Sequence, residues 1–396
     1  MTLTLFDKKL LTFLYELSQS NKYKSPREIS KTIRLENKEK ISEKTVNNWF
    51  DYLTQSYNHG DVHIFNKLAY FPLPLFEKLG LVRVSVFLKN PKLEFFNYFN
   101  FRDNVLWFYD ASKGENILFV SFLLPREMLS EFKSKLKTLE NKNIIGIYDV
   151  QEYYTQYAIN SPWHLVVDRQ GIFHPERNSE QIINKQIKTF EEYLGNLPNK
   201  TSIHLLHHSP LVVPTLFEYY KQHITSVEAW KEIKSKLGDK VWSYISKIGK
   251  KDDNTGIKRV QQAMNEINNS DLFNQVKVNY APLEFNNFWI YIPVKFRDKK
   301  AFLNCVKDIS LNSLSTYASP SYKNNEALIM ALINHYTLQN IFDILARNEV
   351  IDSKVFFLLH GKSADLIVKH LDFPYNELYD PKNLKWEVKE LKRKGI

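Results

Sequence analysis

Two short stretches of this chain group side chains that could read a nucleic acid. In ISEKTVNNWFDYLTQ, Val46, Trp49, Phe50 and Leu53 recur at helical spacing and make one apolar face. Lys44, Thr45, Asn47 and Asn48 fall off that face within a turn and a half. These residue types hydrogen-bond base edges in the major groove. The stretch ahead, SPREISKTIR, carries Lys31 and Arg34, cations suited to phosphates, which position a protein without conveying sequence. In NTGIKRVQQAMNEINN the pattern recurs. Ile257, Val260, Met264 and Ile267 share a face, and Lys258, Arg259, Gln261 and Gln262 lie off it. The chemistry would be recognition of double-stranded DNA. The bland counterpart is a solvated helix face.

Charge supports a polyanionic partner. The net charge is +10 over 396 residues, and it is clustered: +3 in residues 1–60, +4 in 221–277 and +4 in 382–396, with the remainder near neutral. Other chemistry is thin. His204, His207 and His208 in HLLHHS, with His223 beyond, have ligand-like spacing, but no Cys or carboxylate completes a metal set nearby. The single Cys, Cys305, lies in the apolar pattern of a helix and reads as a buried thiol. With 11 Gly and no phosphate loop, nucleophile elbow, zinc-protease or dinucleotide motif, the expectation is a protein that is not an enzyme and holds no cofactor or metal. No stretch has the apolar length of a membrane span, and the opening MTLTLFDKKL lacks a signal-peptide core, so a cytoplasmic location is expected.

The elements that must position the two polar faces follow from periodicity. Leu5, Leu10, Leu11, Phe13, Leu14 and Leu17 form a helical stripe, SPREISKTI opens with a capping box from Ser25 to Glu28, and Ser42 caps the third helix. A hairpin-like stretch follows in NHGDVHIFNKLAYFPLP. LVRVSVFL then alternates strictly, and the order onward is a strand, a short helix in KLEFFNYF, two strands around Ser112–Lys113–Gly114, a helix from Pro125 and a strand in IIGIYDVQEYY. That order is β-α-β-β-α-β, the ferredoxin-like arrangement. Residues 159–204 fit neither pattern and read as a connector with its own local structure. Helical stretches then return, with Ser226 as an N-cap, followed by a second β-α-β-β-α-β series beginning at FWIYIPV. The connection before the last helix is longer in the second module, and Pro293 interrupts what would be a central strand.

A helical module, a ribbon and the phrase EKLGLVRVSVFL, with Lys78, Leu79, Gly80 and Leu81, together resemble the Lrp/AsnC family of archaeal and bacterial transcription regulators. The resemblance implies an α+β chain of two helix-turn-helix (winged-helix-like) modules, each followed by a ferredoxin-like unit like the family's RAM domain. The expected boundaries are 1–75 for the first winged module, 76–158 for its RAM-like unit, 159–204 for the connector, 205–284 for the second helical module, 285–375 for the second RAM-like unit and 376–396 for a basic tail. The implied function is sequence-specific DNA binding with transcription regulation, and the implied partners are double-stranded DNA, a small-molecule effector and a second RAM-like unit, paired as an internal pseudo-dimer or a homodimer, without a membrane. The alternative is a ligand-sensing or assembly protein whose helical modules no longer read DNA.

Overall fold

The computed structural model describes residues 4–359 except 21–23, 36–38, 60–61, 65–66, 93, 96–101, 111, 176–178, 198–208, 221–224, 246–250, 271 and 324, together with Tyr375, Tyr379–Asp380 and Lys385–Trp386. The first module is built from α1 (Lys8–Ser18), α2 (Pro26–Thr32) and α3 (Glu43–Thr54), a hairpin of β1 (Tyr57–His59) and β2 (Val62–Ile64), and β3 (Leu68–Pro74). Each helix begins where a side chain satisfies its first backbone donors. Asp7 accepts from Lys9 N at 2.9 Å, Ser25 and Glu28 form the capping box, and Ser42 accepts from Thr45 N at 3.0 Å. Leu10, Leu14, Ile29, Val46 and Leu53 are fully buried between the three helices.

The first ferredoxin-like unit holds β4 (Leu81–Lys89), β5 (Arg102–Asp110), β6 (Glu115–Pro125), α4 (Leu129–Asn141) and β7 (Gly146–Tyr153), with strand order β7-β4-β6-β5. Most of the helix expected in KLEFFNYF lies outside the described residues. The segment read as a connector has local structure of its own, and its start joins the sheet. It supplies β8 (Tyr157–Asn160), α5 (Trp163–Val166) and α6 (Glu180–Gly195). The second helical module contains α7 (Val212–Tyr220), α8 (Ser226–Leu237), α9 (Val241–Tyr244), α10 (Asp253–Asn269) and β9 (Phe273–Tyr280). Thr225, not Ser226, caps α8 in a box with Glu228. The second ferredoxin-like unit is β10 (Phe288–Phe296), α11 (Lys299–Leu311), β11 (Ser315–Pro320), β12 (Glu326–Ile333), α12 (His335–Arg347), β13 (Val350–Ser353) and β14 (Phe356–Leu358), with order β14-β10-β12-β11 and β13 also on β10. The chain is thus α+β, two helical modules each leading into a ferredoxin-like unit.

Pro293 does sit inside β10, opposite Leu328 of β12. Its carbonyl accepts from Lys354 N at 3.3 Å, so its missing donor faces the break between β13 and β14, where no ladder bond is lost.

The two sheets join as one ten-stranded sheet through an antiparallel ladder of β5 with β14, Phe357 lying opposite Tyr109. The other flanks meet again, with a bridge between Tyr153 and Ser321 and a bond from Tyr154 N to Pro320 O of 2.9 Å. The sheet therefore closes back on itself and its two halves face each other. In β4 the alternation sends Val84 toward α4, whose Phe132 packs 4.8 Å from Phe122, the cross-strand partner of Val84. The opposite face carries Phe87 and Phe119, which with Phe108 meet the second sheet. Ring centroids lie 4.4 Å apart for Phe108–Tyr291, 5.3 Å for Phe87–Phe356 and 5.8 Å for Phe119–Tyr291. The outer face of the second sheet, Ile290, Ile292 and Val294, packs instead with Phe302 and Cys305 of α11 and Ile341 of α12. Cys305 is buried there, and burial pushes its thiol up to about 12, as expected of a structural residue.

The helical modules are cross-connected as well. β3 of the first pairs antiparallel with β9 of the second, from Leu68–Tyr280 to Pro74–Phe273. α1 packs on β9 and α7 packs on β3, so each module rests its first helix on the other's strand. The edge of β8 is closed by two amide side chains. Gln186 of α6 exchanges bonds of 3.0 and 2.8 Å with the backbone of Asn160, and Gln275 of β9 exchanges bonds of 2.7 and 2.8 Å with that of Ala158. At the far end of the chain, β15 (Tyr379–Asp380) pairs with β16 (Lys385–Trp386), and Trp386 Nε1 donates to Leu79 O at 2.6 Å. That part of the expected basic tail is packed on the body.

The turn between the first helical module and its sheet carries a fully buried acid. Glu77 Oε2 lies 2.9 Å from Thr155 Oγ1, which also lies 2.8 Å from Pro74 O, and Glu77 Oε1 has no hydrogen-bond partner. Burial raises the Glu77 carboxyl above its usual range, against the pull of Thr155 and the Arg83 charge. Because the folded carboxyl keeps its proton to a higher pH than the unfolded one, its contribution to stability is complete below the ordinary Glu pKa of about 4.3 and is lost as pH rises through the higher folded value. Glu77→Gln should therefore gain stability on the native chain as pH rises, measured by denaturant unfolding across that window. An equal loss at every pH would show that the carboxylate is ionised in the fold. A second expectation concerns the sheet contact. Phe108→Ala should cost about 3–5 kcal/mol in the same assay, whereas Phe342→Ala on the exposed side of α12 should stay within about 0.5 kcal/mol.

Candidate nucleic-acid interface

The placement of α3 rests on α1. Phe13 of α1 meets the Trp49 ring at 4.8 Å and the Phe50 ring at 6.0 Å, both edge to face, while Val46 and Leu53 are buried beside them. With that side fixed, Lys44, Asn47 and Asn48 are exposed on the opposite side. Thr45 is half-buried, and its hydroxyl lies 2.8 Å from Ser42 Oγ, so it helps close the helix start. Glu43 and Asp51 are also exposed on α3, so the helix itself is not a uniformly positive stripe. The cations stand around it: Lys31 and Arg27 on α2 and Lys40 in the turn before α3 are exposed. That turn is tied to α1 by an ion pair of Lys9 with Glu39 at 3.0 Å. Arg34 is half-buried and caps α2, its Nη1 donating to Ile33 O at 2.8 Å and Ser30 O at 3.4 Å.

The second set is held differently. Lys258, Gln261 and Gln262 are exposed on α10, and Arg259 is half-buried. Arg259 Nη1 donates to Gln262 Oε1 at 2.8 Å, and Gln261 Nε2 donates to Ser226 Oγ at 3.3 Å. The start of α10 is clamped to α8. Asp253 accepts from Trp230 Nε1 at 3.0 Å and Lys234 Nζ at 2.7 Å, and these bonds, Lys234's first, hold its carboxyl below the usual range. Gly256 permits the close approach, since a Cβ there would lie 2.2 Å from the Trp230 ring. α9 and further residues separate α8 from α10, and α10 leads directly to β9, with no hairpin between them among the described residues. The structure therefore gives the first set a winged-helix setting and the second a braced one, and among the described residues no hydrogen bond joins the two sets. Sequence reasoning missed Arg27 and Lys40, which the clustering of charge in residues 1–60 could have suggested. The histidines His204, His207, His208 and His223 lie outside the described residues, and among the described residues no group of three or more His, Cys, Asp and Glu could hold a metal ion. No helix among them is long and apolar enough to cross a membrane.

No family model matches the chain, and no curated protein matches it. Among solved structures it is similar to the siroheme decarboxylase NirDL, at 10% identity and a TM-score of 0.45, over 98% of this chain and 96% of that one. It is also similar to NirDL in co-complex with an iron-uroporphyrin III analogue, at 9% identity and a TM-score of 0.42, over 90% and 91%. Those structures are of an enzyme, which stands against the expectation, drawn from missing motifs, that this chain is not one. So distant a likeness concerns overall arrangement alone and passes neither substrate nor reaction to this chain.

Proposed function

We propose that the chain binds double-stranded DNA as a transcription regulator of the Lrp/AsnC kind, reading sequence with α3 of its first module. The observation that carries this reading is the exposure of Lys44, Asn47 and Asn48 on one side of a helix whose other side is fixed by Phe13, in a module that also has a wing. Asn pairs bidentately with adenine and Lys with guanine. Lys31 and Lys40 flank the same surface and suit phosphates. Arg34, engaged in capping, is left out of the phosphate contacts, and Thr45 is left out of the base-reading set for the same reason. Lys258 on α10 supplies a second, weaker contact, because Gln261 is bonded to Ser226 of α8 and Arg259 and Gln262 are bonded to each other. An internal pair of unlike modules then favours an asymmetric site over a palindrome.

Sites recovered by selection from genomic fragments and titrated by fluorescence anisotropy test this reading. Asn47→Ala and Asn48→Ala should each lower discrimination between the recovered site and a scrambled duplex by about 1–3 kcal/mol while leaving nonspecific binding in place. Lys31→Ala should weaken binding to every duplex and reduce the log affinity–log salt slope by about one. Absence of salt-dependent binding to any duplex, or unchanged binding in all three variants, would sink the proposal.

A further inference from the structure

A cleft of about 440 Å³ opens where α1, β8, α6 and β9 converge, a volume suited to a small molecule. Its walls present hydroxyls and amides beside hydrocarbon, with Tyr15 and Gln19 of α1, Tyr157 of β8 and Thr189 of α6 among the polar groups. Two opposite charges also line it. Glu16 of α1 is half-buried, and Lys185 of α6 is exposed at the rim. Burial raises the Glu16 carboxyl above its usual range, and the Lys185 charge acts against that rise. Yet no ion pair within 4.0 Å joins the two among the described residues. A separated pair of opposite charges leaves hydrogen-bonding capacity at both ends of the space between them. The floor is already fixed, because Gln186 and Gln275 are committed to the backbone of β8. A site of that kind requires little ordering when a ligand enters.

We propose that this cleft binds a small hydroxylated zwitterion, with its ammonium at Glu16 and its anionic group at Lys185. The hydroxyl and amide walls meet the ligand's own hydroxyls. The site is independent of the DNA-reading surface, and its test uses no DNA.

Isothermal titration of the full chain with glucosamine 6-phosphate, glucosamine and glucose 6-phosphate separates the two poles. Glucosamine 6-phosphate should bind about tenfold or more tightly than either of the others, as expected for one added charge-assisted hydrogen bond. Glu16→Gln should lower its affinity to that of glucose 6-phosphate and leave glucose 6-phosphate unchanged. Lys185→Gln, at an exposed position that leaves the fold intact, should lower it to that of glucosamine. Lack of saturable binding by glucosamine 6-phosphate at millimolar concentration overturns the proposal. So does equal binding of all three compounds, or binding that neither substitution alters.

Discussion

The ring contact of Phe108 with Tyr291, at 4.4 Å, stands at the centre of a surface that neither ferredoxin-like unit can leave in water. A four-stranded sheet with helices on one side buries only that side. Phe87, Phe108 and Phe119 are the other side of the first sheet, and Tyr291 and Phe356 belong to the other side of the second. Each unit completes the other's core, and the β5–β14 ladder and the Tyr153–Ser321 bridge fix the register in which they do so. The helical modules obey the same constraint. β3 has its ladder partner in β9, and α1 and α7 each lie on the strand of the opposite module. The orientation of α3 follows from this chain of contacts, since β9 supports α1 and Phe13 of α1 fixes Trp49.

What was legible in the sequence was local. Ser25 with Glu28, Ser42 before α3, and the strict alternation of LVRVSVFL all encode their elements within a few residues, and the structure has those elements there. The polar set on α3 was legible for the same reason, as the complement of Val46, Trp49 and Leu53. The less legible features depend on distant partners. β8 is four residues long and has meaning only beside β11, so the sequence reads as a connector where the fold places an edge strand. The β3–β9 pair joins segments about two hundred residues apart, and no local pattern declares it. Arg34 looks like a phosphate contact because its capping acceptors are backbone carbonyls, which carry no sequence signal. Glu16 and Lys185 look like ordinary helix-surface charges until the fold sets their helices on either side of one cleft.

Fusion in one chain changes what such interfaces must satisfy. Two separate subunits related by a two-fold axis must present the same surface to each other, residue for residue. A single chain carries both halves at a high and constant effective concentration, so the contact need not be self-complementary. The meeting faces here are accordingly unlike, three phenylalanines opposite a tyrosine and a phenylalanine. Release from symmetry extends to the helical modules. α3 follows α2 after a short turn and is followed by a wing, whereas α10 is preceded by a long excursion and clamped to α8 through Asp253 and Gly256. The clamp holds the start of α10 close to Trp230 of α8, and the bonds of Gln261 and Arg259 draw on the polar set that α10 could otherwise present. In the first module the comparable set keeps three exposed side chains, Lys44, Asn47 and Asn48, because α3 obtains its rigidity from the apolar contacts of Phe13, Trp49 and Phe50 on its other side. Rigidity drawn from the buried side leaves the exposed side available to a partner, and rigidity drawn from polar side chains uses it up.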